Sequence, residues 1–357
     1  MKILELVQNY PSKTSHNRMY IHVRNKYYIQ NDIDVTVLNF SAKENYTYDG
    51  INVITLDYYK KNKESYDILC MHAPNIKNHY RFLNKYNKLF NKIVFFFHGQ
   101  EILKWNKDYP KEYSFKKKSI ISKLFRNIYD YIKIILWKNK IKKLINKSHL
   151  VFVSNYLFDK FKNYSKIDMN IIKDHYSIIN NSVGELFELN NYDKKSKKEY
   201  DFITIRGEAL DESKYGIDIV TRLAFNNPNF KFLVIGKGNY YKYNKKPENI
   251  EFINDILTHE EIIKYVNKSK YALMPTKQDT QGVLTSELIT FGIPTITSNL
   301  DVCIEMFNDF DNVVLIDNYK DNDLDKIISK FSLDFKKNTK FYRINTIKKE
   351  IDLFKEL

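Results

Sequence analysis

Short apolar runs alternate with longer amphipathic ones along almost the whole chain, and that alternation constrains the fold more than any other feature of the sequence. A short apolar run between polar breaks suits a strand buried on both faces, and apolar residues three to four apart suit a helix that covers it. Strand, helix and strand in that order give a parallel sheet. In the first half, strands are expected at Ile3–Val7, Val35–Asn39, Val53–Leu56, Asp67–Met71, Ile93–Phe97 and Leu150–Val153, with helices over Met19–Ile29, Lys77–Leu89 and Phe115–Asn146. The pattern then restarts, with strands expected at Tyr200–Ile205, Lys231–Ile235, Ile250–Ile253, Tyr271–Met274, Thr295–Thr297 and Val313–Ile316. Between the halves, Asn190–Lys198 reads NNYDKKSKK, polar and without apolar periodicity, and is taken as the linker. The expected fold is therefore α/β, with two Rossmann-like, doubly wound parallel-sheet domains facing a cleft at the carboxyl ends of their strands. The domains are expected over 1–185 and 190–335, with a helix over 338–357 returning to the first.

Composition narrows the class. The 357 residues suit two domains of about 150–200 residues each. Hydrophobic residues make up 43%, and only 9 glycines and 7 prolines occur, which excludes a disordered or fibrous chain. Glu5 and Gln8 interrupt the opening stretch, so no secretory leader is expected. The best apolar run, YIKIILW at Tyr131–Trp137, carries Lys133 and falls far short of the ~20 residues of a membrane span. Cys70 and Cys303 are isolated, with no CxxC and no His/Cys cluster. The Asp-x-Asp runs at Asp32–Asp34, Asp309–Asp311 and Asp321–Asp325 follow no cleft-facing strand. A cytoplasmic protein without a metal site is expected.

The net charge of +15 is unevenly placed: residues 115–147 hold ten lysines and one arginine against one aspartate. In the same stretch Ile120, Ile121, Leu124, Phe125, Ile128, Ile132, Ile135, Leu136, Ile141 and Leu144 recur at helical spacing. Two readings stay open. The helix packs its apolar face on a sheet and shows lysine to water, or it lies on an anionic membrane with Phe125, Trp137 and several tyrosines at the interface.

The segment YALMPTKQDTQGVLTSELITFGIPTITSN, Tyr271–Asn299, carries the most chemistry. A buried strand ends in a polar loop, a helix opens near Gly282 and Val283, and Gly292-Ile293-Pro294 turns the chain into another strand. A helix starting at the carboxyl end of a parallel strand aims unpaired N–H groups and its positive dipole end at whatever binds there, which suits phosphate. Taken singly, Asp279 reads as a helix cap and Glu287 as a solvated helix residue.

Taken together, the segment resembles the donor site of retaining family-four glycosyltransferases of the GT-B fold: Glu, seven residues, Glu, then a Gly-x-Pro turn. Asp279 stands at the first Glu, one methylene shorter, and Glu287 is the second. The resemblance implies that Asp279 holds sugar hydroxyls and Glu287 the ribose hydroxyls, with Gly282 and Val283 against the donor. A second match is FITIRGEALDESKYGIDIV, Phe202–Val220, where Arg206 and Lys214 take the places of the pair that grips the donor diphosphate. The ordinary alternative for Lys214 is a solvated lysine at a helix start. A third is IVFFFHGQE, Ile93–Glu101, which resembles the family's His-Gly-x-Glu and implies that His98 meets the transferred sugar; otherwise His98 is a structural residue at a strand end. The family's Gly-rich turn after the first strand is missing from QNYPSKTSHNRMYIHVRNKYY, where His22 and Arg24 either replace its contacts or form a solvated face. IGKG, Ile235–Gly238, reads as a turn bordering the donor base.

The resemblance implies a retaining, metal-independent glycosyltransferase with no cofactor. It would use a UDP- or GDP-linked sugar as donor and a lipid-linked or cell-envelope glycan as acceptor. The N-terminal domain would bind acceptor and the C-terminal domain donor. The alternatives are a basic protein that binds nucleic acid or an anionic surface, and a sugar-nucleotide binder that has lost turnover.

Overall fold

The computed structural model describes all residues except 14–17, 117–118, 321 and 333–335, together with the side chain at 120. The part of the missing Gly-rich turn at 14–17, two lysines of the basic segment and the start of the last Asp-x-Asp run therefore lie outside the described residues. The chain divides into two units. Met1–Lys104, Phe125–Ser182 and Phe341–Leu357 form the first, and Trp105–Leu124 with Val183–Lys340 form the second.

The first unit is built on a sheet of β1 (Lys2–Val7), β2 (Asp34–Asn39), β3 (Tyr46–Tyr48), β4 (Ile51–Ile54), β5 (Ile68–His72), β6 (Lys92–Phe97), β7 (Ser148–Phe152) and β8 (Tyr176–Ile178). The order is β3-β4-β2-β1-β5-β6-β7-β8, parallel except for the β3–β4 pair. Strands buried on both faces need apolar residues at successive positions, and β6, KIVFFF, shows it. Its Phe95 and Phe97 pack with Trp137 and Phe152 on one face, while Phe96 meets Phe354 on the other.

That second face is covered by the Met19–Gln30 and Ile347–Glu356 helices, over a core of Ile3, Val35, Val37, Cys70, Val94 and Phe96. Arg24 and Glu350, both fully buried, pair at 3.0 Å beneath these helices. Tyr28 donates to the other carboxylate oxygen, and Arg24 also reaches Asn181 Oδ1 at 2.9 Å. Arg24 is thus neither solvated nor open to a ligand, and His22 is equally buried, held by Tyr10 at 3.0 Å and Asp49 at 3.1 Å. Both sequence readings of these two residues are corrected by the two helices that bury them.

The second unit carries β9 (Tyr200–Ile205), β10 (Phe232–Ile235), β11 (Ile250–Ile253), β12 (Ser269–Met274), β13 (Thr295–Ser298) and β14 (Val313–Ile316), all parallel in the order β11-β10-β9-β12-β13-β14. This is the Rossmann order, with its switch point between β9 and β12. The stretch taken as a linker is fastened here: Tyr192 N donates to Phe291 O at 2.8 Å and Tyr192 Oη to Ser269 O at 2.7 Å. The chain crosses from one unit to the other at Ser182–Val183 instead. Nor is the first unit continuous to 185. Tyr113 donates to Asp218 at 2.9 Å and Phe115 stacks on Tyr243 at 4.7 Å, which fixes Trp105–Leu124 to the second unit.

Removing one partner of a buried ion pair leaves an unpaired charge, so Glu350→Ala should lower stability by about 3–5 kcal/mol, read from urea unfolding. Acid should also weaken the first unit. Burial holds His79 down at about 3 and His149 at about 4, so both stay neutral in the fold while the unfolded chain takes up protons below about 6.5. Stability is therefore expected to fall as pH drops from 6.5 towards 4, with a shallower slope in His149→Gln, measured by the urea midpoint at each pH.

Candidate functional site

In the second unit the sequence-selected residues gather where β9 and β12 end. Arg206 follows β9 and spans the switch point: its Nη2 donates to Pro275 O just after β12 at 2.6 Å, and its Nε to Tyr215 O at 3.0 Å. Burial pulls the guanidinium down to about 10. Lys214 sits in the turn before the Ile217–Asn226 helix, its ammonium 4.6 Å from the Tyr215 ring and 5.8 Å from that of Tyr109. Burial would lower its pKa, but Tyr215 and Asp279 outweigh that and raise it. It is half-buried between these rings. Among the described residues, neither cation has a carboxylate within the 4.0 Å of an ion pair.

The backbone that places them depends on Gly216. Its φ is +63°, and a Cβ there would stand 2.8 Å from Pro275 O, so only glycine lets the Lys214 turn lie against the end of β12. Below it Thr276 N donates to Ser298 Oγ at 2.7 Å, Ser298 Oγ to Asn318 Oδ1 at 2.7 Å, and Asn318 Nδ2 back to Thr276 O at 2.8 Å. This closed ring of polar groups on β13 and the segment after β14 was not selected from the sequence. Isolated Ser, Thr and Asn carry no signal until the strands bring them together.

Asp279 and Glu287 are placed differently from one another. Asp279 Oδ1 accepts from Thr280 N at 2.8 Å, Gln281 N at 3.4 Å and Gly282 N at 3.0 Å, capping the turn that opens the Val283–Phe291 helix. Its charge acts on Arg206 and on Lys214. The next amides, beginning at Val283, open the helix and have no preceding turn to supply acceptors. Glu287 is not solvated: it is buried, with Oε1 accepting from Gly184 N at 3.2 Å and standing 3.6 Å from His259 Nε2. Burial raises its pKa, against the pull of His259 and the Gly184 amide. The fold thus gathers Arg206, Lys214, Asp279 and Gly282, and sets Glu287 further along the same helix against two residues that the sequence reading missed. His259 follows Thr258, whose capping box with Glu261 is a legible helix start, but nothing in the spacing ties it to Glu287.

The glycine turn at Gly236–Gly238 lies against Arg206: Lys237 N donates to Gly207 O at 2.6 Å, and a Cβ on Gly236 would come within 3.4 Å of Arg206 Cβ.

His98 belongs to the first unit, at the carboxyl end of β6. Glu101 accepts from His98 N at 3.1 Å and Gly99 N at 2.6 Å, which shapes the His-Gly-x-Glu turn. His98 Nε2 is 3.1 Å from His72 Nδ1, and Tyr20 packs against its ring at 4.7 Å. Burial, then the nearby His72, Arg24 and Arg18, keep its pKa well below the ordinary histidine value.

Residues 191–347 match the family model described as glycosyl transferases group 1. The whole chain shares its fold with solved GT-B glycosyltransferase structures. One is a glycosyltransferase from Rickettsia africae ESF-5, with TM-score 0.66, 14% identity, and coverage of 99% of this chain and 98% of that one. Another is sucrose-phosphate synthase from Thermosynechococcus elongatus, with TM-score 0.66, 11% identity, and coverage of 92% and 89%. A third is WaaG, a glycosyltransferase involved in lipopolysaccharide biosynthesis, with TM-score 0.59, 11% identity, and coverage of 92% and 90%. Comparison with curated proteins returned no match.

Outside the matched residues, the basic helix runs over Ile120–Leu144. Its buried face is Asp130, Lys133, Ile134, Trp137, Ile141 and Leu144, with Lys133 held by Asp130 at 2.8 Å and by the carbonyls of Gln100 and Leu103. Ile121, Leu124, Phe125, Ile128, Ile132 and Ile135 are exposed, Phe125 to 67%. At 100° per residue those six fall on one side, opposite the buried face. Most of the apolar residues read as a packing face thus point to solvent, while Trp137, read as a surface anchor, is in the core. Among the described residues no helix is long and apolar enough to cross a membrane.

Asp279→Ala should lower stability by about 1–2 kcal/mol, because the amides of the turn before the helix lose their acceptor, while Asp279→Asn, which still accepts, should lose less than half of that. Thermal unfolding of the two variants checks the difference.

Proposed function

We propose that the protein is a retaining glycosyltransferase that moves a sugar from a UDP- or GDP-linked donor to a hydroxyl of a lipid-linked or cell-envelope glycan, at the cytoplasmic face of an anionic membrane. The observation that carries this reading is the pair of cations at the β9–β12 switch point, buried Arg206 and half-buried Lys214, neither of which has a carboxylate within ion-pair distance among the described residues. A buried cation lacking a counter-ion is costly unless an anion completes it. A nucleotide diphosphate fits there, between the two cations and the helix opening at Gly282 and Val283.

As the glycosyl bond breaks, charge develops on the leaving phosphate. Arg206 and Lys214, fixed in place before the reaction, stabilise it without a divalent ion and without reorganisation. Glu287 takes the ribose hydroxyls and Asp279, through the oxygen that does not hold the turn, a sugar hydroxyl. The family resemblance assigns His98 to sugar binding. Retention follows from the resemblance to family-four enzymes, in which the leaving phosphate accepts the proton of the incoming hydroxyl.

The acceptor side rests on the Ile120–Leu144 helix. Its exposed apolar side, with Lys142 and Lys143 beyond it, suits an anionic lipid surface. One related structure, an α-glucosyltransferase in complex with UDP and a 13-mer DNA, has TM-score 0.61 and 12% identity and covers 99% of both chains. A DNA backbone offers phosphate but nothing to cover six exposed apolar side chains, so lipid is the better match here.

Calorimetry should show saturable binding of UDP or GDP. Lys214→Ala should weaken it roughly tenfold to a hundredfold, as the loss of a charge-assisted hydrogen bond implies, and Glu287→Ala should weaken it further or abolish it. No nucleotide binding by the native protein would overturn the reading, and binding without sugar transfer or hydrolysis would mark a lapsed enzyme. The protein should also co-sediment with vesicles containing phosphatidylglycerol. A Phe125→Ser, Ile128→Ser double variant should stay in solution with its nucleotide affinity unchanged, and undiminished sedimentation would remove the membrane from the proposal.

A further inference from the structure

Glu287 lies one turn into the Val283–Phe291 helix, on the face it shares with Val283. A helical side chain leans towards the N-terminus of its own helix, so the carboxylate is carried back towards the partly exposed opening at Gly282 and Val283. Only 7% of the side chain's surface is left to solvent, and the two oxygens are not equivalent. Oε1 accepts from Gly184 N at 3.2 Å and has His259 Nε2 3.6 Å away, while Oε2 is neither enclosed nor bonded among the described residues. The groups that hold Oε1 therefore set the direction of Oε2.

Those groups come from two separate elements of the second unit. Gly184 starts the short Glu185–Leu189 helix, its carbonyl accepting from Phe187 N at 3.0 Å while its amide donates to Glu287. His259 opens the His259–Asn267 helix, and its ring stands edge-on to Phe187 at 5.1 Å. Phe187 in turn stands edge-on to Phe291, at the end of the Glu287 helix, at 6.1 Å. Space inside this cluster is short. Gly184 has φ −64° and ψ 147°, a backbone that any residue adopts, so conformation does not call for glycine there. A Cβ, however, would stand 2.8 Å from Cε1 and 2.9 Å from Nδ1 of His259, and 3.3 Å from Oε1 of Glu287. Burial raises the pKa of Glu287, and His259 and the Gly184 amide pull it back towards the ionised form, which accepts from hydroxyls without donating.

We propose that Gly184 and His259 are positioning residues that make the donor site selective for ribonucleotides, by holding Oε1 of Glu287 so that Oε2 is aimed at the ribose hydroxyls. This rests on the reading that Glu287 takes the ribose. Both residues act through Glu287. A carboxylate already held on one side has less freedom to lose on binding, and a nucleotide lacking the hydroxyls leaves a charged acceptor without donors in a nearly closed place.

The test is calorimetry of the full-length protein with UDP or GDP, whichever it binds, and with the 2′,3′-dideoxy form of the same nucleotide. The native protein should prefer the ribonucleotide roughly tenfold to a hundredfold, the worth of a hydrogen bond to a charged group. In Gly184→Ala the His259 ring has to move, and the preference should fall roughly tenfold while the dideoxy affinity stays unchanged. His259→Phe, the gentler change for folding, keeps a ring against Phe187 without Nε2 and should lower the preference by less. His259→Gln, which restores an N–H donor, should regain most of that loss. Equal weakening of both nucleotides, as a merely loosened fold would give, or an undiminished preference in Gly184→Ala and His259→Phe, would overturn the proposal. Failure of the underlying reading looks different: the native protein would then bind both forms equally, or Glu287→Gln would leave the preference intact.

Discussion

A guanidinium taken out of water has to be given acceptors, and in the second unit Arg206 receives two carbonyls and no carboxylate. Both constraints on the unit meet in those bonds. One carbonyl is on the turn before the Ile217–Asn226 helix and the other is where β12 ends, so Arg206 ties together the two loops that leave the switch point. Their approach is close enough to require glycine at 216. Because carbonyls neutralise nothing, the positive charge remains, and burial draws its pKa down to about 10. The arrangement that closes the fold also leaves a charge for a ligand to satisfy.

The acids around the two sites are used in the opposite way. Asp279 spends one oxygen on three backbone amides, Glu101 one on two, and Glu287 one on the Gly184 amide. In each case a loop that leaves a strand or enters a helix is pinned by a carboxylate instead of by more backbone. Such an acid has a second oxygen whose direction is fixed by the first. A cap and a ligand contact are then not alternatives for Asp279, because holding the turn is what aims the remaining oxygen.

The strands were legible to within a residue or two, since a parallel sheet buried on both faces imposes apolar runs with little freedom of register. β3 and β8 escaped because three partly buried residues make no run. The boundary between units was misread at Asn190–Lys198. Polarity there reflects backbone and side-chain bonds to Phe291, Asn267 and Ser269 on the surface of a domain, not freedom from it. Of the site, Arg206, Lys214, Asp279 and Gly282 were reachable because each lies next to a strand end or helix start. His72 and Arg24 were not. A charged residue inside an apolar run signals only that something pairs with it, and here the partner of Arg24 is Glu350, at the far end of the chain.

The Ile120–Leu144 helix shows why periodicity alone cannot say which face of a helix is inside. Apolar residues occupy both sides, and the packed side is chosen by Trp137, Ile141 and Leu144 meeting Phe95 and its neighbours. Lysines in the last turn have a local reason to be there, since they sit at the negative end of the helix dipole, and Lys133 is consumed by Asp130 and two carbonyls. Charge is therefore the weaker argument for a membrane. Exposed Ile121, Leu124, Phe125, Ile128, Ile132 and Ile135 have no such local reason. Each large apolar side chain left in water forgoes about 1.5–3 kcal/mol of burial. Aligned on one side, the six form a contiguous surface, and a surface of that kind calls for an apolar partner. The stripe, more than the lysines, is what the membrane proposal rests on.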